Sequence, residues 1–207
     1  MNIRKNFYII CFYILFLLVN TTTSFANDFT FKDRINKINS FCSNFKQIVI
    51  DASGVQIQKG IGKILVKTPG KFKWHLLFPH ENEIISDGNI VWFYDPLIHH
   101  VSIFSIKDIM DHTPFIVFTH KHFSLLNDYK IIKNGDCFVL TPKVNINTII
   151  KYCSICIDKY GVIRKIESME KNMFKNIIYL YNYRKISLNN NNFKFKTFSD
   201  LSIDDQR

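Results

Sequence analysis

Apolar side chains recur at Phe31, Ile35, Ile38 and Phe41, with Lys32, Asp33, Arg34, Asn36 and Lys37 between them. Spacings of three and four residues predict one amphipathic helix with a narrow apolar stripe. Beyond it the period shortens to two and turn signals punctuate the chain. These are Asp51-Ala52-Ser53-Gly54, Thr68-Pro69-Gly70, Ser86-Asp87-Gly88-Asn89, Asn134-Gly135-Asp136 and Asp158-Lys159-Tyr160-Gly161. Strands separated by such turns connect as antiparallel hairpins. The clearest strand is Lys71-Phe72-Lys73-Trp74-His75-Leu76, apolar on one face and polar on the other. Residues 83–86 and 89–94 follow as a hairpin, and 101–104 is expected to pair back onto it.

Strand alternation is lost from 105 to 127. Thr113-Pro114 reads as an N-cap followed by proline at the first helical position. Phe115, Ile116, Val117 and Phe118 then form a short helix that is apolar nearly all round, so it must lie against apolar surface on more than one side. Strands resume at 129–133, 137–141, 149–157, 162–169 and 177–186, and a last one is expected at 193–197, after the asparagine tract. The sum is about ten or eleven strands and two or three helices in one sheet-dominated α+β domain, with its helices on one face of a curved antiparallel sheet.

The first residues stand apart from that domain. Arg4 and Lys5 precede an uncharged apolar run over 7–19, then polar residues and Ala26. The run is shorter than the roughly 20 residues a membrane-spanning helix needs. It reads as a secretory signal cleaved after Ala26, leaving 27–207 as a single exported, soluble domain. Cys11 follows Ile9-Ile10 inside the apolar run, whereas a lipidation cysteine would follow a small residue at its end. The mature chain is therefore expected to carry no lipid anchor. Cleavage lowers the formal charge of +10 by the charges of Arg4 and Lys5, and export argues against nucleic acid as a partner despite the basic balance.

Candidate chemistry is sparse. Cys153-Ser154-Ile155-Cys156 has the spacing of a redox or zinc half-site. In a strand, however, residues three apart face opposite ways and sit ~10 Å apart, and no second pair exists to complete a zinc site. Cys42, Cys137, Cys153 and Cys156 leave a cross-strand disulfide open, with its connectivity unspecified. His99 and His100 are adjacent, and His120 and His122 lie two apart, spacings that splay each pair. Asp87, Asp95 and Asp108 read as turn formers. No nucleophile elbow, zinc-protease motif, phosphate loop or carboxylate pair is present, so neither an enzyme nor a bound metal or cofactor is expected.

Large apolar side chains are abundant instead. Phe72, Trp74, Leu76 and Phe78 line one side of one strand, and Ile84 joins them from the next. Such a stripe ordinarily marks a core. A face that held a ligand, with the helices as its lid, would show the same periodicity.

The order of segments resembles the periplasmic outer-membrane lipoprotein carrier family, LolA. The resemblance rests on Phe45-Lys46-Gln47, Gly60-Ile61-Gly62, the block Val66-Lys67-Thr68-Pro69-Gly70-Lys71-Phe72-Lys73-Trp74, Ser86-Asp87-Gly88 leading to Val91-Trp92-Phe93-Tyr94-Asp95-Pro96, Thr113-Pro114-Phe115, Phe138-Val139-Leu140-Thr141-Pro142 and Asp204-Asp205-Gln206-Arg207. It implies an open, half-closed antiparallel barrel of about eleven strands, capped by a helical lid. It also implies a monomer that accepts acylated lipoproteins from an inner-membrane ABC transporter and passes them to an outer-membrane receptor. By the same resemblance Phe45, Phe72, Trp74, Leu76, Ile84 and Trp92 would line the acyl-chain cavity. Ile35, Ile38, Phe115, Ile116 and Phe118 would belong to the lid. A periplasmic binder of another hydrophobic or lipid ligand is the alternative.

One position departs from the family. Its usual arginine before the proline, which hydrogen-bonds the lid, is Thr68 here. A hydroxyl has little reach beside a guanidinium with five donors, so the lid is expected to be held less firmly at this position, or partly by Lys67 or Lys71.

Overall fold

The computed structural model describes residues 23–106, 123–144 and 148–207. Helix α1 (Thr23–Asn36) comes first. Six strands follow: β1 (Ser40–Ile50), β2 (Gln56–Lys67), β3 (Lys71–Phe78), β4 (Asn82–Asp87), β5 (Ile90–Asp95) and β6 (His100–Ser105). After a 3-10 turn at Phe123–Asp128 come β7 (Tyr129–Asn134), β8 (Cys137–Pro142), β9 (Ile150–Ile157), β10 (Ile163–Glu170) and β11 (Lys175–Lys185). A second 3-10 turn at Asn190–Phe193 leads to β12 (Ser202–Asp205).

The strands make one open 12-stranded sheet in the order β12-β6-β5-β4-β3-β2-β1-β11-β10-β9-β8-β7. Two meanders, β1 to β6 and β7 to β11, meet where β1 pairs antiparallel with β11. Their hairpins are set by local chemistry. The carboxylates of Asp51, Asp87 and Asp158 each accept two backbone N–H groups from the turn that follows, which is how aspartate nucleates a tight turn. Asp95 accepts from the Leu97 N–H in the same way; Asp108 lies outside the described residues.

One face of the sheet carries the main core. Phe41, Phe45, Ile64, Val66, Phe72, Leu76, Val91, Phe138, Leu140, Ile155, Ile166, Ile178 and Leu180 form a single buried cluster with Phe31, Ile35 and Ile38. Helix α1 lies against β7 on this inner face, and Phe31 packs on Phe138 with ring centroids 5.0 Å apart. The helix differs from the sequence expectation at its end. It stops at Asn36, Ile38 falls in the link, and Phe41 belongs to β1. All three apolar residues after Phe31 are nonetheless buried, because a strand entering beneath the helix continues the stripe that the helix began.

The C-terminus also departs from expectation. Residues 193–197 alternate like a strand but are not one. Asn189 caps a 3-10 turn by accepting from the Asn191 N–H, Phe193 is fully buried, and the turn lies against β3 and β4. The twelfth strand forms later and pairs parallel with β6.

Candidate functional site

Registers between strands decide which side chains share the inner face. Ile64 on β2 stands opposite Trp74 on β3, Trp74 opposite Ile84 on β4, and Ile84 opposite Phe93 on β5. The four make an apolar row across four strands. Trp74, Ile84 and Phe93 are only partly buried and pack against the core from its edge. Val66, Phe72, Ser86 and Val91 form the neighbouring row, and Phe104, opposite Val91, meets Phe93 edge to face with centroids 5.5 Å apart. Phe45 reaches into this region from β1, fully buried, and stacks on Trp74.

Polar interruptions on the face are already satisfied. The Ser86 hydroxyl donates to the Gly70 carbonyl at 2.9 Å, and the Ser43 hydroxyl lies 2.8 Å from the Tyr181 carbonyl. Neither makes a polar demand on an occupant, so the surface suits a hydrocarbon chain, whose burial is worth roughly 0.8 kcal/mol per CH₂.

The structure thus brings together Phe45, Phe72, Trp74, Leu76 and Ile84 on one face, beneath Ile35 and Ile38 of the α1 region. Trp92 is the exception. It stands opposite Ile85, not Ile84, and so lies on the outer face, stacked on Phe195 with centroids 6.3 Å apart. Phe93 holds the inner position instead. The run Val91-Trp92-Phe93-Tyr94 is apolar at every residue and carries no parity of its own. Counting outward from the two-residue Gly88-Asn89 turn would have supplied it. Phe115, Ile116 and Phe118, expected in the lid, lie outside the described residues.

Thr68 does hold the end of the helix region. Its hydroxyl donates to the carbonyls of Ile38 and Asn39, each at 3.2 Å, and its N–H to the Asn39 carbonyl at 2.8 Å. Lys67 is engaged with the Leu188 carbonyl and the Asn190 side chain, and Lys71 with the Asp87 carbonyl.

The cysteines resolve into one cross-strand disulfide, Cys137–Cys156, between β8 and β9. Cys153 is free and buried on the inner face, and burial pushes its thiol up to about 12, far from a reactive thiolate. Among the described residues no group of three potential ligands could hold a metal. His75 bonds Glu81, and His99 and His100 bond Asp200 and Ser202 of the C-terminal segment; His120 and His122 lie outside the described residues. A separate concavity of about 770 Å³ opens near the β1–β11 bulge. Asn44, Lys63, Asn182 and Arg184 share its walls with Ile64, Leu65, Tyr183 and Ile186, so it is a cleft of mixed character, unlike the apolar row.

Comparison with known proteins identifies a family and a shared fold. The family model described as "Outer membrane lipoprotein carrier protein LolA" matches residues 36–196. An outer-membrane lipoprotein carrier protein of Actinobacillus succinogenes is 37% identical over 174 residues, spanning 84% of this chain and 83% of its own. The protein of that name from Cronobacter sakazakii is 34% identical over 176 residues, covering 85% and 86%. Among solved structures, an uncharacterized conserved protein of Thermus thermophilus shares the fold with a TM-score of 0.55 at 8% identity, over 87% of this chain and 99% of its own.

Proposed function

The chain belongs to the LolA family of outer-membrane lipoprotein carrier proteins, and on that premise we propose that it is a periplasmic lipoprotein chaperone. It takes lipoproteins released from the inner membrane by an ABC transporter, shields their acyl chains on the inner face, and delivers them to an outer-membrane receptor. The observation that carries this reading is the row Ile64, Trp74, Ile84 and Phe93 across β2 to β5. Ile64 anchors the row in the core, while Trp74, Ile84 and Phe93 are partly exposed at the edge of that core, the arrangement a hydrocarbon chain can extend. The family is one of carriers, not of enzymes, and the chain acts without catalysis or cofactor.

Residues 1–26 serve as the export signal. Cleavage after Ala26 removes only the first turn of α1 and leaves Phe31, Arg34 and Ile35 in place. No helix among the described residues is long and apolar enough to cross a membrane. The carrier works as a monomer, because one face of one chain supplies the whole apolar row.

A release assay tests the proposal. Purified mature protein is added to spheroplasts synthesising a labelled lipoprotein, and the medium is examined for a one-to-one complex. A soluble complex that forms only with the acylated lipoprotein is the expected outcome. Label that stays in the membrane with folded carrier present would overturn the assignment, and equal binding of free lipid would favour a general lipid-binding protein.

A further inference from the structure

Arg34 lies among the polar residues of the helix pattern, yet it is 8% exposed. Its Nη1 donates to the Asp136 carboxylate at 2.7 Å and to the Ile157 carbonyl at 2.5 Å. The guanidinium carbon sits 5.2 Å from the centroid of Phe138, the ring on which Phe31 also packs. The two acceptors belong to different strand ends, since Asp136 immediately precedes β8 and Ile157 closes β9. Those ends are themselves joined, the Ile157 N–H donating to the Asp136 carbonyl at 2.9 Å. One step further in, Cys137 and Cys156 stand directly opposite and form the disulfide.

A buried guanidinium cannot shed its charge, so removing its acceptors leaves that charge uncompensated. The tie at Thr68 is weaker in kind: a neutral hydroxyl shared between two carbonyls at 3.2 Å. The end of α1 is further seated by the β9–β10 turn. There a Cβ on Gly161 would come within 2.8 Å of Lys37 Cβ, and Lys37 Nζ donates to the Lys159 carbonyl.

We infer that Arg34 is the positioning residue that seats α1 across the inner face, and that the Cys137–Cys156 disulfide holds its two acceptors in register. Resting on the carrier reading above, this places the control of helix opening at the β8–β9 end rather than at the residue before Pro69. The brace is reducible: a dithiol delivers two electrons and two protons to the S–S bond, leaves two thiols, and is itself oxidised to a disulfide.

Hydrogen exchange of the mature protein, with and without dithiothreitol, tests this alongside release of a fluorescent triacylated lipopeptide. Reduction is expected to speed exchange of the α1 amides and lipopeptide release by about tenfold, as for loss of a charge-assisted hydrogen bond. Arg34→Gln should do the same and respond little to further reduction, since both changes act on one latch. Arg34→Lys should fall between, and Thr68→Val should have the smaller effect. Unchanged α1 exchange after thiol titration shows Cys137 and Cys156 freed would overturn the inference. So would additive effects of Arg34→Gln and reduction. If Arg34→Gln does not fold, the reduction arm on the native chain decides. Exchange that responds while no form binds lipopeptide upholds the positioning role and overturns the carrier reading instead.

Discussion

The ring of Phe45 stacks on the indole of Trp74 with centroids 3.7 Å apart and planes 24° from parallel, although a whole strand separates β1 from β3. Gly62 on the intervening β2 makes this possible. It stands opposite both Phe45 and Leu76, and a Cβ there would overlap Phe45 Cζ and the His75 carbonyl oxygen. The missing side chain is the space in which two aromatic rings meet on the inner face.

Gly62→Ala should therefore act on both stability and binding. The added methyl meets backbone as well as ring, so the strand itself must shift, and overpacking of this kind costs about 1–3 kcal/mol. Urea unfolding should show that loss, with lipopeptide affinity falling in parallel. A variant as stable as the native chain would mean that Phe45 moves aside without penalty.

Trp74 and Trp92 should separate cleanly. Trp74→Ala removes the centre of the apolar row and is expected to weaken lipopeptide binding about tenfold or more, as for a buried aromatic anchor. Trp92→Ala removes a contact to Phe195 on the other face, and should loosen the C-terminal segment with little change in binding. Titration of both variants with one acylated probe checks the pair. Equal losses would contradict the face assignment.

Glu167 predicts an acid-side dependence of stability. Burial raises its pKa, but hydrogen bonds from Lys165, Lys175 and Tyr152 outweigh that and hold it at about 2. The folded value lies below that of the unfolded chain, roughly 4.3. The contribution is therefore fully present above that pH and fades as pH falls toward 2. Glu167→Gln should cost on the order of 2 kcal/mol at pH 7, and its deficit should close between pH 4 and 2. Unfolding free energies measured across that range decide it.

Thr68→Val deletes the hydroxyl that donates to Ile38 and Asn39 while keeping shape. The expected loss is about 1 kcal/mol, with faster exchange at the Ile38 N–H, which donates to the Ile35 carbonyl at the end of α1. Thr68→Arg, which restores the arginine usual in the family, should slow exchange there and slow lipopeptide release. An unchanged release rate in Thr68→Arg would show that a guanidinium here adds no tie beyond the one Arg34 already makes.

Much of this fold is legible in short windows. Asp51, Asp87 and Asp158 announce their hairpins because each carboxylate bonds the backbone of its own turn. Alternation in Lys71-Phe72-Lys73-Trp74-His75-Leu76 fixes which side chains face inward for the same local reason. Those two signals suffice for the β2 to β5 meander and for Phe72, Trp74 and Ile84. Windows fail where both faces are apolar, as around Trp92, or where strand-like alternation finds no partner edge, as at 193–197.

What the sequence determined by itself was the set of turns, the strands between them and the surplus of apolar side chains on one face, all consequences of interactions a few residues apart. Tertiary structure decided the rest: β1 closing on β11, β12 on the open edge of β6, Cys137 beside Cys156, and Arg34 drawn out of the solvent. Arg34 shows the reason. Its neighbours along the helix mark it as solvated, and only acceptors 102 and 123 residues away, at two strand ends that meet beneath the helix, make its burial favourable.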